Sequence, residues 1–298
     1  MNNIFFYEMR IGSYINRMDR NPYDCIFSIG YRCSSAGILK SLGLKTESYP
    51  FDWLVSRLPI IEHCVKTEFK SFLNPDNYRC GNGATNNYSS LDPSSAQWIC
   101  DESICVNDYY ERIDLPNIDL YLPNPISPER DAYGNKIMMN HHNIKNSKPH
   151  QEYFARCIDR WNRLWNRKKT LSLYIHPATF HSEFLSIKPR LIKDIRGFHH
   201  FMTFYNRSHE GIYIIPVKTQ YEYPTNHCCK YVLEEQPDDP NLPGCRICIL
   251  WTNRDFVDAG EIFMGNSYVE TYVVKDYLEK TVDNKGLLVN SSVSTLGV

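Results

Sequence analysis

The sequence lacks three features that are each typical of a large class of proteins. Its longest apolar runs, at 212–217 and 247–251, have the length of strands and are far shorter than the ~18 residues that a membrane-spanning helix requires. Its charges balance, with 33 Lys and Arg against 34 Asp and Glu, so the basic surface of nucleic-acid-binding proteins is absent. The first 20 residues contain no continuous apolar stretch as long as the h-region of a signal peptide and no small-residue cleavage site. We therefore predict no signal peptide and a cytoplasmic protein.

The composition is that of a folded chain. Of the 298 residues, 42% are hydrophobic and 22% are charged, which excludes a disordered protein, because such a chain has too little apolar surface to offset its ordering entropy. We predict a single α/β domain over 1–298, divided into a motif-bearing half at 23–150, a second α/β half at 151–282 and a flexible tail at 283–298. The 11 cysteines are an odd number in a chain without a signal peptide, which favours free thiols over disulfides.

Short apolar strands alternate with amphipathic helices along the chain. Residues 24–29 read DCIFSI and predict a buried strand, and the apolar spacing after Cys33 predicts a helix that ends near Gly43. A helix at 153–167, with apolar residues at intervals of three and four, is followed by a strand at 170–175. This alternation favours an α/β fold with a Rossmann-like, mostly parallel sheet flanked by helices. Polar stretches at 74–95 and 115–150 predict long irregular insertions.

The densest motif lies at 27–56, FSIGYRCSSAGILKSLGLKTESYPFDWLVS. This segment resembles the family labelled "putative papain-like cysteine peptidases", whose members share the form S-x-G-x-x-C-x-x-A-x-x-L-K-x-x-G-L followed by S-x-P-hydrophobic-D-W. The resemblance implies a cysteine nucleophile with a histidine later in the chain. It also implies a link to surface-glycan assembly in bacteria and large DNA viruses, and hence sugar chemistry. The matching residues are Ser28, Gly30, Cys33, Ala36, Leu39, Lys40, Gly43, Leu44, Ser48, Pro50, Asp52 and Trp53.

Cys33 stands where the predicted strand and loop lead into the helix. The free N–H groups at a helix N-terminus favour a thiolate, and the same groups also bind phosphate. Three interpretations therefore stay open: a nucleophile, a residue lining a ligand pocket, and a buried core thiol. In the second case the donor phosphates bind the loop residues around it, which are Gly30, Tyr31, Arg32 and Ser34.

Candidate bases lie elsewhere in the sequence. For Cys33 they are His142 and its neighbour His141, then His176 after the strand at 170–175. The alternative for His142 is a solvated loop residue. Asn206 completes a Cys–His–Asn order along the chain, and we include Asn143 beside the histidine pair among the substrate-binding residues.

Asp52 is a second candidate base. It stands between Phe51 and Trp53, and a carboxylate held between aromatic side chains has a raised pKa that suits general-base work. Trp53 then lines the substrate cleft. The alternative for Asp52 is an N-cap of a helix that begins at Trp53.

The sequence offers only weak metal-binding patterns. Cys245 and Cys248 form a C-x-x-C within a predicted strand, where the two side chains point to opposite faces. For the aspartate pair that many metal-dependent glycosyltransferases use, the chain offers only Asp238–Asp239 and Asp255 with Asp258. We predict no tightly bound metal or cofactor, and leave open whether turnover depends on a divalent metal.

Three functional hypotheses follow. The first is a transferase in glycan assembly, a glycosyltransferase that uses a nucleotide sugar as co-substrate and a glycan or glycoprotein as acceptor, with Asp52 or His142 as base. The second is a papain-like thiol hydrolase that uses Cys33 and His142. The third is a non-catalytic glycan-binding protein, supported only by the 21 tyrosines and 5 tryptophans. We prefer the first, because strand–loop–helix units bind phosphates at the carboxyl ends of their strands.

Overall fold

The structure is a computed structural model that describes residues 22–30, 33–80, 105–121, 138–140, 142–176, 179–218, 231–252 and 269–282. Within these ranges, no helix is long and apolar enough to span a membrane. The helices and strands, in chain order, are β1 (Cys25–Ser28), α1 (Cys33–Ser41), β2 (Leu54–Val55), α2 (Leu58–Lys66), α3 (Lys70–Leu73), β3 (Tyr78–Cys80), β4 (Cys105–Asn107), α4 (Asp108–Arg112), β5 (Met139–Asn140), α5 (Lys148–Arg163), β6 (Thr170–Ile175), β7 (Thr179–Phe180), α6 (His181–Tyr205), β8 (His209–Lys218), β9 (Tyr231–Glu235), β10 (Cys245–Thr252) and α7 (Val269–Val282).

A mostly parallel sheet forms the centre of the protein. Its strand order is β1-β6-β8-β10-β9. The short strand β7 follows β6 and pairs with the carboxyl end of β8, on the same side of β8 as β6. The pairs β1–β6, β6–β8 and β8–β10 are parallel, whereas β9 runs antiparallel to β10. The predicted α/β fold with a mostly parallel sheet is therefore confirmed.

Helices cover both faces of this sheet. Along β6, Leu171, Leu173 and Ile175 pack with residues of α1 and α7. Tyr174, which points to the other face because strand side chains alternate, packs with residues of α5 and α6. Strands covered on both faces are hydrophobic on both faces, which explains why TLSLYI is buried at every position.

A second, antiparallel sheet of four short strands, in the order β2-β5-β4-β3, packs with the α5 and α6 side of the main sheet. We did not predict it, because strands of two or three residues carry no periodicity. Cys80 and Cys105 lie opposite each other in β3 and β4 and form a disulfide, so the prediction of free thiols is wrong for this pair. The free cysteines within the described residues are Cys25, Cys64, Cys157, Cys245 and Cys248, all buried.

The apolar residues at 58–73 predict a single helix, but this helix is interrupted. It divides into α2 and α3 because Glu68 and Phe69 adopt the left-handed conformation, with φ of 54° and 59°. This conformation is unfavourable for residues other than glycine. It places the Phe69 ring in the core against Phe51, Phe72 and Trp161, and this burial offsets the local strain.

Candidate functional site

The carboxyl ends of β1 and β6 lie side by side. The two strands are parallel, and the amide of Ile29 donates to the carbonyl of Leu173 at 2.9 Å just beyond β1. The chain leaves β1 after Ser28 and enters α1 at Cys33, so the predicted strand–loop–helix unit is confirmed. At the neighbouring position, His176 follows β6 directly. This edge of the sheet therefore contains the first turn of α1, which is a position that favours anions.

Two of the predicted loop residues, Tyr31 and Arg32, lie outside the described residues, as does the side chain of Cys33. Gly30 is buried, and its carbonyl accepts a hydrogen bond of 2.7 Å from the hydroxyl of Ser56. Ser34 is buried in the first turn of α1. These contacts tie the exit of β2, where Ser56 stands, to the loop that leads to Cys33.

Arg57 follows Ser56 and is completely buried. Its Nε donates to the carbonyl of Tyr121 at 2.8 Å, and its Nη1 donates to the carbonyl of Ser56 at 3.4 Å. A guanidinium keeps its charge in any protein environment and binds phosphate and carboxylate in a bidentate manner. The fold thus holds a fixed positive charge beside the carboxyl edge of the sheet. We call Gly30, Ser56, Arg57 and His176 the carboxyl-edge site.

His176 is the most unusual side chain of this site. It is 1% exposed. Its ring lies 5.2 Å from the ring of Tyr121 and 6.1 Å from that of Tyr174. Burial, aided by the charge of Arg57, lowers the pKa of His176 to about 3, and a hydrogen bond with the Leu120 backbone has a smaller, opposite effect. The imidazole is therefore neutral at physiological pH.

Asp52 lies in a separate cluster, the Asp52 cluster, with Ser28, Lys45 and Tyr49. Asp52 is 0% exposed. One of its oxygens accepts the Ser28 hydroxyl at 2.5 Å, and the other accepts the Tyr49 amide at 2.7 Å and the Lys45 ammonium at 2.7 Å. Burial raises the pKa of Asp52, and Lys45, Ser28 and the Tyr49 amide act in the opposite direction.

This geometry bears on both interpretations of Asp52. The N-cap is wrong, because the residues after Trp53 form strand β2 rather than a helix. Both carboxylate oxygens already accept hydrogen bonds, and neither is exposed, so a substrate hydroxyl has no path to them in this conformation. Trp53 itself is half-buried. The Asp52 cluster fastens the segment before β2 to the end of β1.

His142 lies in an aromatic cluster at the start of α5. Its ring stacks on Tyr153 at 5.2 Å with an interplanar angle of 8°, and it contacts the rings of His150 and Phe154 edge-on. Its amide donates to Asn140 Oδ1 at 2.9 Å. The described contacts of His142 are thus with α5 and β5, whereas those of His176 are with Arg57 and Tyr121. The structure places the two candidate histidines in different groups.

Two other predicted residues have turn-forming roles. The side-chain oxygen of Asn143 accepts the amide of Asn146 at 2.8 Å, and His141 lies outside the described residues. Asn206 donates to the carbonyls of Leu164 and Arg167 at 3.2 and 3.0 Å. Because Asn206 precedes β8, it lies at the amino edge of the sheet, so the predicted Cys–His–Asn order does not correspond to a shared site.

No group of three or more His, Cys, Asp or Glu side chains suited to a metal ion occurs among the residues that the structure describes. Cys245 and Cys248 belong to core clusters on opposite faces of the sheet, as their spacing in a strand predicts. Sequence reasoning missed Arg57. Its only local signal was its position directly after the 27–56 motif, and its partner Tyr121 is distant in sequence.

The fold and this edge define an α/β protein with a Rossmann-like sheet and a buried, positively charged site at the carboxyl ends of its first two parallel strands. The chain belongs to the family described as "Putative papain-like cysteine peptidase (DUF1796)", whose model matches residues 24–194. That range contains the carboxyl-edge site, the Asp52 cluster and His142. Neither the search of curated proteins nor that of solved structures found a match.

Proposed function

We propose that this protein is a transferase in glycan assembly, which binds the phosphates of a nucleotide sugar at the carboxyl-edge site. The observation that carries the proposal is the start of α1 at Cys33, just after the carboxyl end of β1. The buried charge of Arg57 lies next to Ser56, which donates to the Gly30 carbonyl before that helix. In α/β proteins ligands bind at the carboxyl ends of the strands. A diphosphate there meets the N-terminus of a helix, and the charge of Arg57 acts on it from inside the protein.

The setting of this proposal is what the resemblance of the motif at 27–56 implies, a link to surface-glycan assembly. The description of the matched family names a cysteine peptidase and no glycan. Glycosyl transfer also requires a base that takes the proton of the acceptor hydroxyl. Asp52 has no exposed oxygen, which leaves His142, whose side chain is partly exposed, as the base of this hypothesis.

A thiol hydrolase is the second candidate. It is favoured by the family description and by the position of Cys33 as the first residue of α1, where the helix dipole stabilises a thiolate. A papain-like pair also requires a histidine that accepts a proton readily. His176, with its pKa lowered to about 3, does not, so this hypothesis also depends on His142.

The first experiment measures melting temperature in the presence of UDP-, GDP-, dTDP- and CMP-sugars. A ligand at 100 times its Kd stabilises the folded state by about 2.7 kcal/mol, which is a rise of roughly 5–10 °C for a chain of this size. Arg57→Met should lose the rise, because it removes the charge and keeps a long apolar side chain. The control is Arg160→Met, at a partly exposed arginine. Arg160 donates to the Ser48 carbonyl and has no role in the proposal.

The result that contradicts the proposal is a panel in which no nucleotide sugar raises the melting temperature of the wild type. A rise that Arg57→Met retains shows that the phosphates bind elsewhere. The hydrolase hypothesis is tested in parallel by alkylation with iodoacetamide. A catalytic Cys33 reacts rapidly at pH 6, and Cys33→Ser abolishes hydrolysis of a model ester. Under the transferase proposal Cys33→Ser still binds the donor.

A further inference from the structure

The carboxyl-terminal end of α6 exposes a large aromatic side chain. Among the large hydrophobic residues that the structure describes, only Leu185 and Phe204 are exposed, and Phe204 is 80% exposed. Phe204 lies in the last turn of α6, a helix of 25 residues. A single exposed ring is common on protein surfaces, whereas a contiguous apolar patch indicates a site of contact, so the neighbours of Phe204 decide its meaning.

Further aromatic side chains adjoin Phe204. Its ring lies 5.5 Å from the ring of Tyr205, which in turn contacts the rings of Phe201 at 5.2 Å and Trp165 at 4.9 Å. Tyr205, Phe201 and Trp165 are all partly exposed. The end of α6 and the turn after α5 thus form a continuous aromatic surface.

Basic side chains border these rings. Residues 160–169, RWNRLWNRKK, contain five Arg and Lys residues and no acid. The side-chain amide of Asn206 donates to the carbonyl of Arg167 at 3.0 Å, which holds this segment against the end of α6. Arg167, Lys168 and Arg207 are exposed. We call these three residues, together with Trp165, Phe204 and Tyr205, the basic aromatic patch.

Acidic side chains beside the patch compensate only part of its charge. Glu47 lies 3.8 Å from Arg167 in an exposed pair, and such pairs contribute little. Asp24 accepts the backbone amides of Lys168 and Lys169 at 2.6 and 3.2 Å, so its carboxylate bonds the backbone rather than their ammonium groups. The patch therefore keeps a net positive charge beside its exposed rings.

Cations around exposed aromatic rings match the chemistry of an anionic phospholipid surface. Aromatic side chains favour the interface between headgroups and acyl chains, and apolar burial together with attraction to anionic lipids determines interfacial binding. A nucleic acid is also anionic, but its binding requires a broad basic surface, and this chain has a net charge of −1. A flat membrane requires only one local patch, so the observations favour the membrane.

We propose that the basic aromatic patch docks the protein on an anionic phospholipid membrane, with the ring of Phe204 inserted among the headgroups. The patch lies at the amino edge of the main sheet, because Arg167 and Arg207 precede β6 and β8. The carboxyl-edge site lies at the opposite edge, about 20 Å away along the six residues of β6. Docking through the patch therefore leaves that edge clear of the membrane. This inference does not depend on the proposed function.

The first test is co-sedimentation of the protein with phospholipid vesicles. The wild type should bind vesicles that contain about one third phosphatidylglycerol at least 10-fold more tightly than vesicles of phosphatidylcholine alone. Raising the NaCl concentration from about 0.1 M to about 0.5 M should weaken binding to the anionic vesicles, because salt screens the charges. Equal binding to the two kinds of vesicle, or binding to neither, overturns the inference.

A triple variant tests the charges of the patch. Arg167→Gln/Lys168→Gln/Arg207→Gln should bind the anionic vesicles about 100-fold more weakly than the wild type, since each charge near the surface contributes about fivefold. A control variant that loses the same charge elsewhere should bind like the wild type. Equal losses in the two variants overturn the inference, because net charge alone then explains the binding. The control replaces by Gln three exposed lysines outside the patch, which are Lys70, Lys145 and Lys148.

Phe204→Ser tests the insertion of the ring. It should weaken binding to the anionic vesicles at least fivefold, because no phenyl ring then leaves water, whereas Phe204→Trp should bind like the wild type. The control is Leu185→Ser, at an exposed residue about 28 Å away along α6, which should also bind like the wild type. Because Phe204 is mostly exposed, its replacement should leave the melting temperature unchanged. Unchanged binding of Phe204→Ser overturns the inference.

Two other occupants of the patch would be recognised by their own results. If a single-stranded RNA binds the wild type more tightly than the anionic vesicles and the triple variant loses it, the patch is a nucleic-acid surface and the inference is overturned. If sedimentation velocity shows a dimer for the wild type and a monomer for Phe204→Ser, the patch is an interface between copies of this chain, which also overturns it. None of these measurements uses a nucleotide sugar, so the inference and the proposed function fail separately.

Discussion

Replacing Asp52 by Asn is expected to destabilise the protein rather than to remove a catalytic base. Asp52 is completely buried and accepts three donors, from the Ser28 hydroxyl, the Tyr49 amide and the Lys45 ammonium. The Lys45 side chain is itself only 7% exposed. The two charges therefore compensate each other in a region that water does not reach, and they join the segment before β2 to the end of β1.

The size of the effect follows from this burial. Asn keeps the shape of Asp and one acceptor oxygen, but it leaves the Lys45 ammonium buried without a counter-charge. Removing one partner of a buried ion pair destabilises the folded state by about 3–5 kcal/mol. For a chain of this size the melting temperature falls by roughly 6–20 °C. The exposed pair of Lys66 and Glu62 on α2 serves as a control, because Glu62→Gln costs only about 0.5 kcal/mol.

The assay is urea unfolding followed by circular dichroism, with the double variant Lys45→Met/Asp52→Leu alongside. Removing both charges leaves no uncompensated ion, so the double variant should recover at least half of the stability that Asp52→Asn loses. The reasoning is refuted if the free energy of unfolding of Asp52→Asn lies within about 1 kcal/mol of the wild-type value while turnover falls by a factor of about 10²–10⁴. A fall of that size is the scale of general-base loss. That result makes Asp52 the base.

Three further predictions concern stability. Burial lowers the pKa of His176 to about 3 and that of His199 to about 4, below the value near 6.5 of an unfolded chain. The folded state therefore binds fewer protons than the unfolded state, and the neutral histidines contribute fully to stability above about pH 6.5. As the pH falls towards 4 and 3, the free energy of unfolding decreases by up to about 1.4 kcal/mol per pH unit for each histidine. Urea unfolding between pH 7 and 4 measures this decrease. If the free energy of unfolding of His176→Phe depends on pH as steeply as that of the wild type, His176 does not have the lowered pKa. The Cys80–Cys105 disulfide closes a loop of sequence separation 25. Its reduction should lower the free energy of unfolding by about 3 kcal/mol. Equal midpoints of urea unfolding with and without dithiothreitol contradict this. Gly244→Ala should destabilise by more than about 1 kcal/mol, because Gly244 has a φ of +80° and a Cβ there lies 2.7 Å from Glu210 Cγ. Gly197→Ala in α6, which meets nothing within 4 Å, should be neutral or stabilising, and equal losses in the two variants contradict the argument.

The parts of the fold that were predictable are those with local signals. The apolar run DCIFSI and the helical spacing from Ala36 to Leu42 each lie within about ten residues, so they indicated β1 and α1 without knowledge of any distant contact. The strand at 170–175 was equally clear, because a strand that is covered on both faces is mostly apolar. TLSLYI has this composition, and all six residues are buried.

The parts that were not predictable depend on contacts distant in sequence. Asp52 has the neighbours expected of a pocket carboxylate, but its role is determined by Ser28 and Lys45, which only the folded chain brings to it. Nothing near Arg57 indicates that the Tyr121 carbonyl holds it beside His176. The break between α2 and α3 arises from the packing of Phe69 rather than from a helix-breaking residue.

The most direct test of the proposed function is a crystal structure of the protein with a bound nucleotide sugar. We predict that the diphosphate lies at the first turn of α1, where backbone N–H groups donate to its oxygens at about 2.7–3.2 Å. A diphosphate bound away from the carboxyl edge of the sheet contradicts the account.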